Sequence, residues 1–182
     1  MFDLQGLNIY LIGMMGCGKS TIGPLLAAKL GYSFLDTDTT IEQLVSQSIS
    51  ELFTAIGEPE FRKVETQVLA EVSAHIRLVV STGGGIAIAR ENWNHLHQGL
   101  VIWLDPSIDI LVERLQGDTS RPILASSDLR TKLEGILAER RHMYAEADIH
   151  LPIATKLAPE EIVDRILAAI PTVLKTPSIT PD

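Results

Sequence analysis

Five short runs of apolar residues recur along the chain: Asn8–Ile12, Ser33–Leu35, Leu78–Ser81, Val101–Leu104 and Ile149–Ile153. Each is strand length, and their near-continuous Val/Ile/Leu character is that of strands buried on both faces. Between them lie segments of helical period, near Lys19–Leu30, Pro59–Ala74, Ile108–Leu115, Leu129–Tyr144 and Pro159–Ile170. In the last of these Ile162, Val163, Ile166, Leu167 and Ile170 fall on one face. The alternation predicts an α/β domain whose parallel sheet is covered by helices on both sides. Two stretches interrupt it. Asp36–Gly57 carries only weak helical patterning, and Gln116–Asp128 has the Gly, Asp, Ser and Thr content of a mobile flap. Pro171–Asp182 holds three prolines without periodicity and reads as a loose tail.

Length and composition narrow the field. A chain of 182 residues with 46% hydrophobic and 21% charged content can close one core, expected over residues 1–170. A formal charge of −8 argues against non-specific binding to nucleic acid or an anionic membrane. No apolar run reaches the roughly 18 residues of a membrane span. The single cysteine, Cys17, cannot form an intrachain disulfide or build a zinc site alone. The first residues lack the basic and apolar regions of a signal peptide, so a cytoplasmic location is expected.

The chemistry begins after the first strand. Gly13-Met14-Met15-Gly16-Cys17-Gly18-Lys19-Ser20, followed by Thr21, matches G-x-x-x-x-G-K-[ST] between a strand and a helix. Glycines let successive backbone N–H groups point at phosphate oxygens, Lys19 reaches the β- and γ-phosphates, and the Ser20 hydroxyl suits Mg²⁺. Pro24 falls beyond the first turn of the following helix, where a local kink is expected. Asp36-Thr37-Asp38 ends the second strand, at the sheet edge where ligands of α/β proteins sit. Both carboxylates could face the cradle, one toward a Mg²⁺-bound water and the other toward an attacking hydroxyl; equally, they could cap a helix starting at Thr39.

Two further strands end in candidate ligand positions: Asp105, and the run Gly83-Gly84-Gly85, whose bare backbone a ligand can approach. The glycine run is the better candidate, because Pro106 and Ser107 suggest that Asp105 opens a helix. In Leu129–Tyr144 the residues Leu129, Leu133, Ile136 and Leu137 form an apolar stripe, and Arg140 falls within it while Arg141 lies about 100° away. An arginine on a buried face needs an anionic partner, either a structural carboxylate or a ligand. Arg121 in the flap and Arg62, three residues before Glu65, are unremarkable alone.

Taken together, the cradle, Asp36-Thr37-Asp38, Phe61-Arg62, Gly83-Gly84-Gly85, Arg121-Pro122-Ile123-Leu124 and Arg140 with Tyr144 resemble shikimate kinases in order and spacing, from about Asn8 to Ile170. The resemblance implies a P-loop kinase fold with a five-stranded parallel sheet, a substrate-binding lobe at residues 36–65 and a LID at 116–128. It implies ATP as co-substrate with Mg²⁺, shikimate as acceptor, and a monomer. It assigns Asp38 to the acceptor hydroxyls and to proton removal. Arg62, Arg140 and the glycine run (Gly83, Gly84, Gly85) go to the carboxylate, and Arg121 to the transferring phosphoryl group. Gly16, Gly18, Lys19, Ser20, Thr21, Arg114 and Pro159 go to ATP, with Arg114 near the adenine. Ser20 and, through water, Asp36 serve the metal. Two places depart from the family pattern: Pro24, and Thr155–Ala158 before Pro159. The rival readings are a gluconate- or nucleotide-type kinase and a non-catalytic P-loop module.

Overall fold

The computed structural model describes residues 4–116 and 128–174. In chain order the elements are β1 (Ile9–Ile12), α1 (Lys19–Leu30), β2 (Ser33–Asp36), α2 (Thr37–Val45), α3 (Ile49–Ser73), β3 (Leu78–Ser81), a 3₁₀ turn at Arg90–Asn92 and α4 (Trp93–Leu96). They continue as β4 (Leu100–Pro106), α5 (Ile108–Leu115), α6 (Leu129–Tyr144), β5 (Ile149–Ile153) and α7 (Pro159–Val173). The strands form one sheet of order β2-β3-β1-β4-β5, every pair parallel. No described helix is long and apolar enough to cross a membrane.

All five expected strands and all five expected helices are present. Burial on both faces holds for β1, β3 and β4, but not at the sheet edges. In β5, His150 and Pro152 are exposed between the buried Ile149, Leu151 and Ile153. An edge strand has a neighbour on one side only, which is also where a proline lacking its N–H does least harm.

The weakly patterned Asp36–Gly57 is helical for most of its length, comprising α2 and the first part of α3. The two halves of α3 meet at Gly57, whose φ of 77° leaves helical geometry two residues before Pro59. Within the stretch the helical period is interrupted at Ser46, the C-cap of α2 with φ of 55°, before Ser48 opens α3. Ser48 and Glu51 form a capping box at the start of α3. The helix α1 continues through the exposed Pro24 as one element, and α7 carries Pro171–Val173, so the tail is shorter than its composition suggests. The LID segment, 116–128, lies outside the described residues apart from Gln116 and Asp128, and Arg121-Pro122-Ile123-Leu124 lies outside them with it.

Parallel pairing of β1, β2 and β3 brings the segments after all three to one edge of the sheet. At the opposite edge, where the strands begin, β1 meets β4 tightly: the Leu100 N–H donates to the Asn8 carbonyl at 2.8 Å, and a side chain on the preceding Gly99 would overlap that same oxygen. Gly99→Ala is therefore expected to lower stability by about 1–3 kcal/mol through overpacking, measured by denaturant unfolding. An unchanged midpoint would show that this junction tolerates displacement.

Candidate active site

Gly16 and Gly18 of the cradle adopt φ of 73° and 107°, the left-handed region that favours glycine. Gly18 is the N-cap of α1, and no side chain caps it, so the first N–H groups of the helix are directed at the loop's concavity. Lys19 Nζ donates to the carbonyls of Gly13 and Met14 at 3.0 and 3.2 Å, folding the ammonium along the loop. Arg114, from α5, donates to the carbonyls of Gly16 and Cys17 at 3.0 and 3.1 Å and braces the same loop from outside.

Asp36 combines the two roles that its spacing left open. Its Oδ1 accepts from the N–H groups of Asp38 (3.0 Å) and Thr39 (3.3 Å), capping α2, while Oδ2 accepts from the Ser20 hydroxyl at 2.7 Å. The cap belongs to a helix that starts at Thr37, not Thr39. Asp38 accordingly takes its direction from the first helical turn, not from strand alternation. Ser20 Oγ also lies 3.3 Å from Ser81 Oγ, at the end of β3. These hard oxygen donors fit Mg²⁺, which takes one or two protein oxygens and completes its shell with water and phosphate. Among the described residues, no group of three or more His, Cys, Asp or Glu could hold a metal ion by itself.

One cleft of about 660 Å³ joins these groups. Gly16, Gly18, Lys19, Ser20, Thr21, Asp36, Asp38, Gly84, Arg114 and Pro159 all line it. Lys156, Leu157 and Ala158 line it as well, so the segment before Pro159 does present a basic residue there, and Lys156 pairs with Glu113 of α5. Among the three glycines only Gly84 lines the cleft, for a physical reason. Side chains at Gly83 or Gly85 would collide with Asp38 or with Arg62, so neighbouring groups already occupy that space. The Gly83 N–H donates to the Thr37 hydroxyl at 2.7 Å.

Arg62 and Arg140 converge on the glycine run from different helices. Arg140 Nη1 donates to the Gly84 carbonyl at 3.1 Å, from the buried stripe of α6 between Leu137 and Tyr144. Arg62 pairs with Glu65 at 2.6 Å and with Glu58 at 2.8 Å. The Arg62–Glu65 spacing reads as a surface pair, yet the Glu65 side chain is only 2% exposed. The sequence does hold a signal for this: Phe61, Glu65, Val68, Leu69 and Val72 share one helical stripe, with a carboxylate in place of an apolar residue. Burial pushes the Glu65 carboxyl above its ordinary range, and the charge of Asp38 adds to the effect, while Arg62 and the Gly85 backbone oppose it. Asp105 is not part of this site. It lies at the carboxyl end of β4 outside the cleft lining, where it accepts from His150 Nε2 at 2.8 Å; Ser107, not Asp105, is the N-cap of α5.

Comparison with known proteins adds an independent line. The family model described as Shikimate kinase matches residues 15–171. A shikimate kinase from Rippkaea orientalis is 55% identical over 172 residues, covering 94% of this chain and 92% of that protein. One from Trichormus variabilis is 51% identical over 172 residues, covering 94% and 95%. Among solved structures, a shikimate kinase from Acinetobacter baumannii in complex with shikimate superposes with a TM-score of 0.87 at 34% identity, covering 93% of this chain and 95% of that one. A gluconokinase from Sinorhizobium meliloti, 22% identical with a TM-score of 0.60 and covering 92% and 93%, shares the fold alone.

The raised Glu65 carboxyl yields a signed pH effect. The folded state holds that proton more tightly than the unfolded chain, so this group stabilises at low pH and loses its contribution as pH rises through the raised value. Glu65→Gln keeps the shape but cannot ionise. From about pH 4 upward, the native protein is expected to lose stability relative to the variant, read from denaturant midpoints across pH. Parallel curves would show that burial does not perturb this group.

Proposed function

The chain belongs to the shikimate kinase family, and from that premise we propose that it transfers the γ-phosphoryl group of ATP to the 3-hydroxyl of shikimate, giving shikimate 3-phosphate and ADP. The observation that carries this reading is the convergence of Arg62, Arg140, Asp38 and Glu65 on the glycine run, whose middle member Gly84 lines the same cleft as Asp38 and the phosphate cradle. A compact acid bearing hydroxyl groups matches that set: arginines for its carboxylate, Asp38 for its hydroxyls.

In this reading the cradle N–H groups and Lys19 hold the phosphates, and Arg114 and Pro159 border the nucleotide. Ser20, with Asp36 acting through a water, would hold Mg²⁺, which when bound neutralises charge on the phosphates. Asp38 orients the attacking hydroxyl and takes its proton. Arg62, Arg140 and the Gly84 amide hold the acceptor carboxylate, and Glu65 keeps Arg62 in place. Arg121, outside the described residues, is assigned to the transferring phosphoryl group from its motif. The transition state spreads charge over phosphoryl oxygens, so Lys19 and Arg121 act where that charge develops.

A coupled assay of ADP release should show turnover that depends on shikimate and is absent with gluconate or a nucleoside monophosphate. Release of ADP at equal rates with and without shikimate would overturn the proposal, and turnover with gluconate would favour the rival kinase. Lys19→Ala should fold normally and lose on the order of 10³-fold or more in kcat. Near-native turnover in that variant would remove Lys19 from the chemistry.

A further inference from the structure

One side-chain cluster outside the cleft has no part in the reading above, and it sits against the helix that carries Arg140. On β4, Trp103 is 2% exposed, and the His150 ring of β5 stacks on it with centroids 4.1 Å apart and planes 13° from parallel. His150 Nε2 donates to Asp105 Oδ2 at 2.8 Å. From α6, the Arg141 guanidinium lies 5.4 Å from the Trp103 ring centroid and 3.7 Å from Asp105 Oδ2. Tyr144, one turn further along α6, meets the same indole at a centroid distance of 5.7 Å. The Trp103 Nε1 has no hydrogen-bond partner among the described residues, so ring contacts set the orientation of this indole.

The consequence lies in the spacing on α6. Its buried anchors are Leu133, Leu137 and Tyr144, leaving two turns between the last two. Arg140 emerges from that interval and reaches the Gly84 carbonyl. Arg141 is its neighbour and is turned about 100° toward the sheet edge, where Trp103 and Asp105 receive it. A cation over an indole with a carboxylate beside it resists both rotation of the helix about its axis and sliding along it. We infer that Arg141, seated on Trp103 and the Asp105–His150 pair, is a positioning residue that sets the aim of Arg140 at the acceptor carboxylate. The inference rests on the reading of Arg140 as part of that clamp.

Steady-state kinetics of the full chain, with shikimate and ATP varied separately, test it. Arg141→Ala should raise the KM for shikimate by about threefold to tenfold, the effect of losing a partly exposed cation–π contact and its ion pair. The KM for ATP and kcat should stay within about twofold, because Arg141 is not among the residues that line the cleft. Arg141→Lys retains a cation for both partners and should recover most of the loss. Asp105→Asn should act in the same direction, and the double variant should cost less than the sum of the two, since both remove one contact. Arg140→Ala is the control for the premise. If it raises the shikimate KM while Arg141→Ala does not, Arg141 is an ordinary surface residue. If both KM values rise together in Arg141→Ala, or if lysine fails to rescue, the cluster serves general stability and the inference falls. If Arg140→Ala itself leaves the shikimate KM unchanged, it is the clamp that fails, and Arg141 loses its object.

Discussion

Parallel pairing of β2, β3 and β1 imposes the constraint from which the site follows. Parallel strands deliver their carboxyl ends to the same edge, so the segments after all three emerge side by side. The cradle follows β1, Asp36 and Asp38 stand at the end of β2, and the glycine run follows β3. Hydrogen bonds then tie these segments directly to one another: Ser20 to Asp36, Ser81 beside Ser20, Gly83 to Thr37, and Thr82 to the Leu11 carbonyl. A displacement of β3 would therefore disturb phosphate and acceptor regions together.

At that edge the costly element is the Glu65 carboxylate, held almost wholly out of water beside a second carboxylate. Withdrawing a charge from water costs several kcal/mol unless partners replace the lost hydration. Arg62 and the Gly85 backbone are those partners. Their approach needs glycines at 83 and 85, which explains why a run of three glycines exposes only its middle member to the cleft. Arg62 in turn is shared between Glu58 and Glu65, so its guanidinium is oriented before any acceptor arrives. That pre-organisation reduces the entropy lost when a carboxylate binds.

The second arginine is supported differently. Arg140 donates to the Gly84 backbone carbonyl, and its support comes through the helix that bears it. Leu137 and Tyr144 seat that helix on apolar contacts, and Arg141 adds a polar fastening at the sheet edge. The two arginines proposed to hold the acceptor thus rest on unlike physics, an ion pair with the buried Glu65 for Arg62 and a helix mooring for Arg140. Both include an exposed member, Glu58 beside Arg62 and Arg141 beside Asp105, and those pairs are the parts open to modulation by salt.

Local pattern was enough to determine the strands, most of the helices, the cradle and the family. A strand buried on both faces and a glycine-rich phosphate loop each have a signature within ten residues. Arg140 was likewise visible, as a charge standing within an apolar stripe. Glu65 carried the same kind of signal in α3 but reads as an ordinary i,i+3 partner of Arg62, because exposure depends on what packs against the helix. The helices within Asp36–Gly57 were obscured by the turn at Ser46–Ser48, which resets the helical phase between α2 and α3. The dual role of Asp36, the seclusion of Gly83 and Gly85, the cleft-facing Lys156 and the Trp103–Asp105–Arg141–His150 cluster were decided by tertiary structure alone. Each joins residues from different elements, and what fixes such contacts is the order of strands in the sheet, a quantity to which no short stretch of sequence responds.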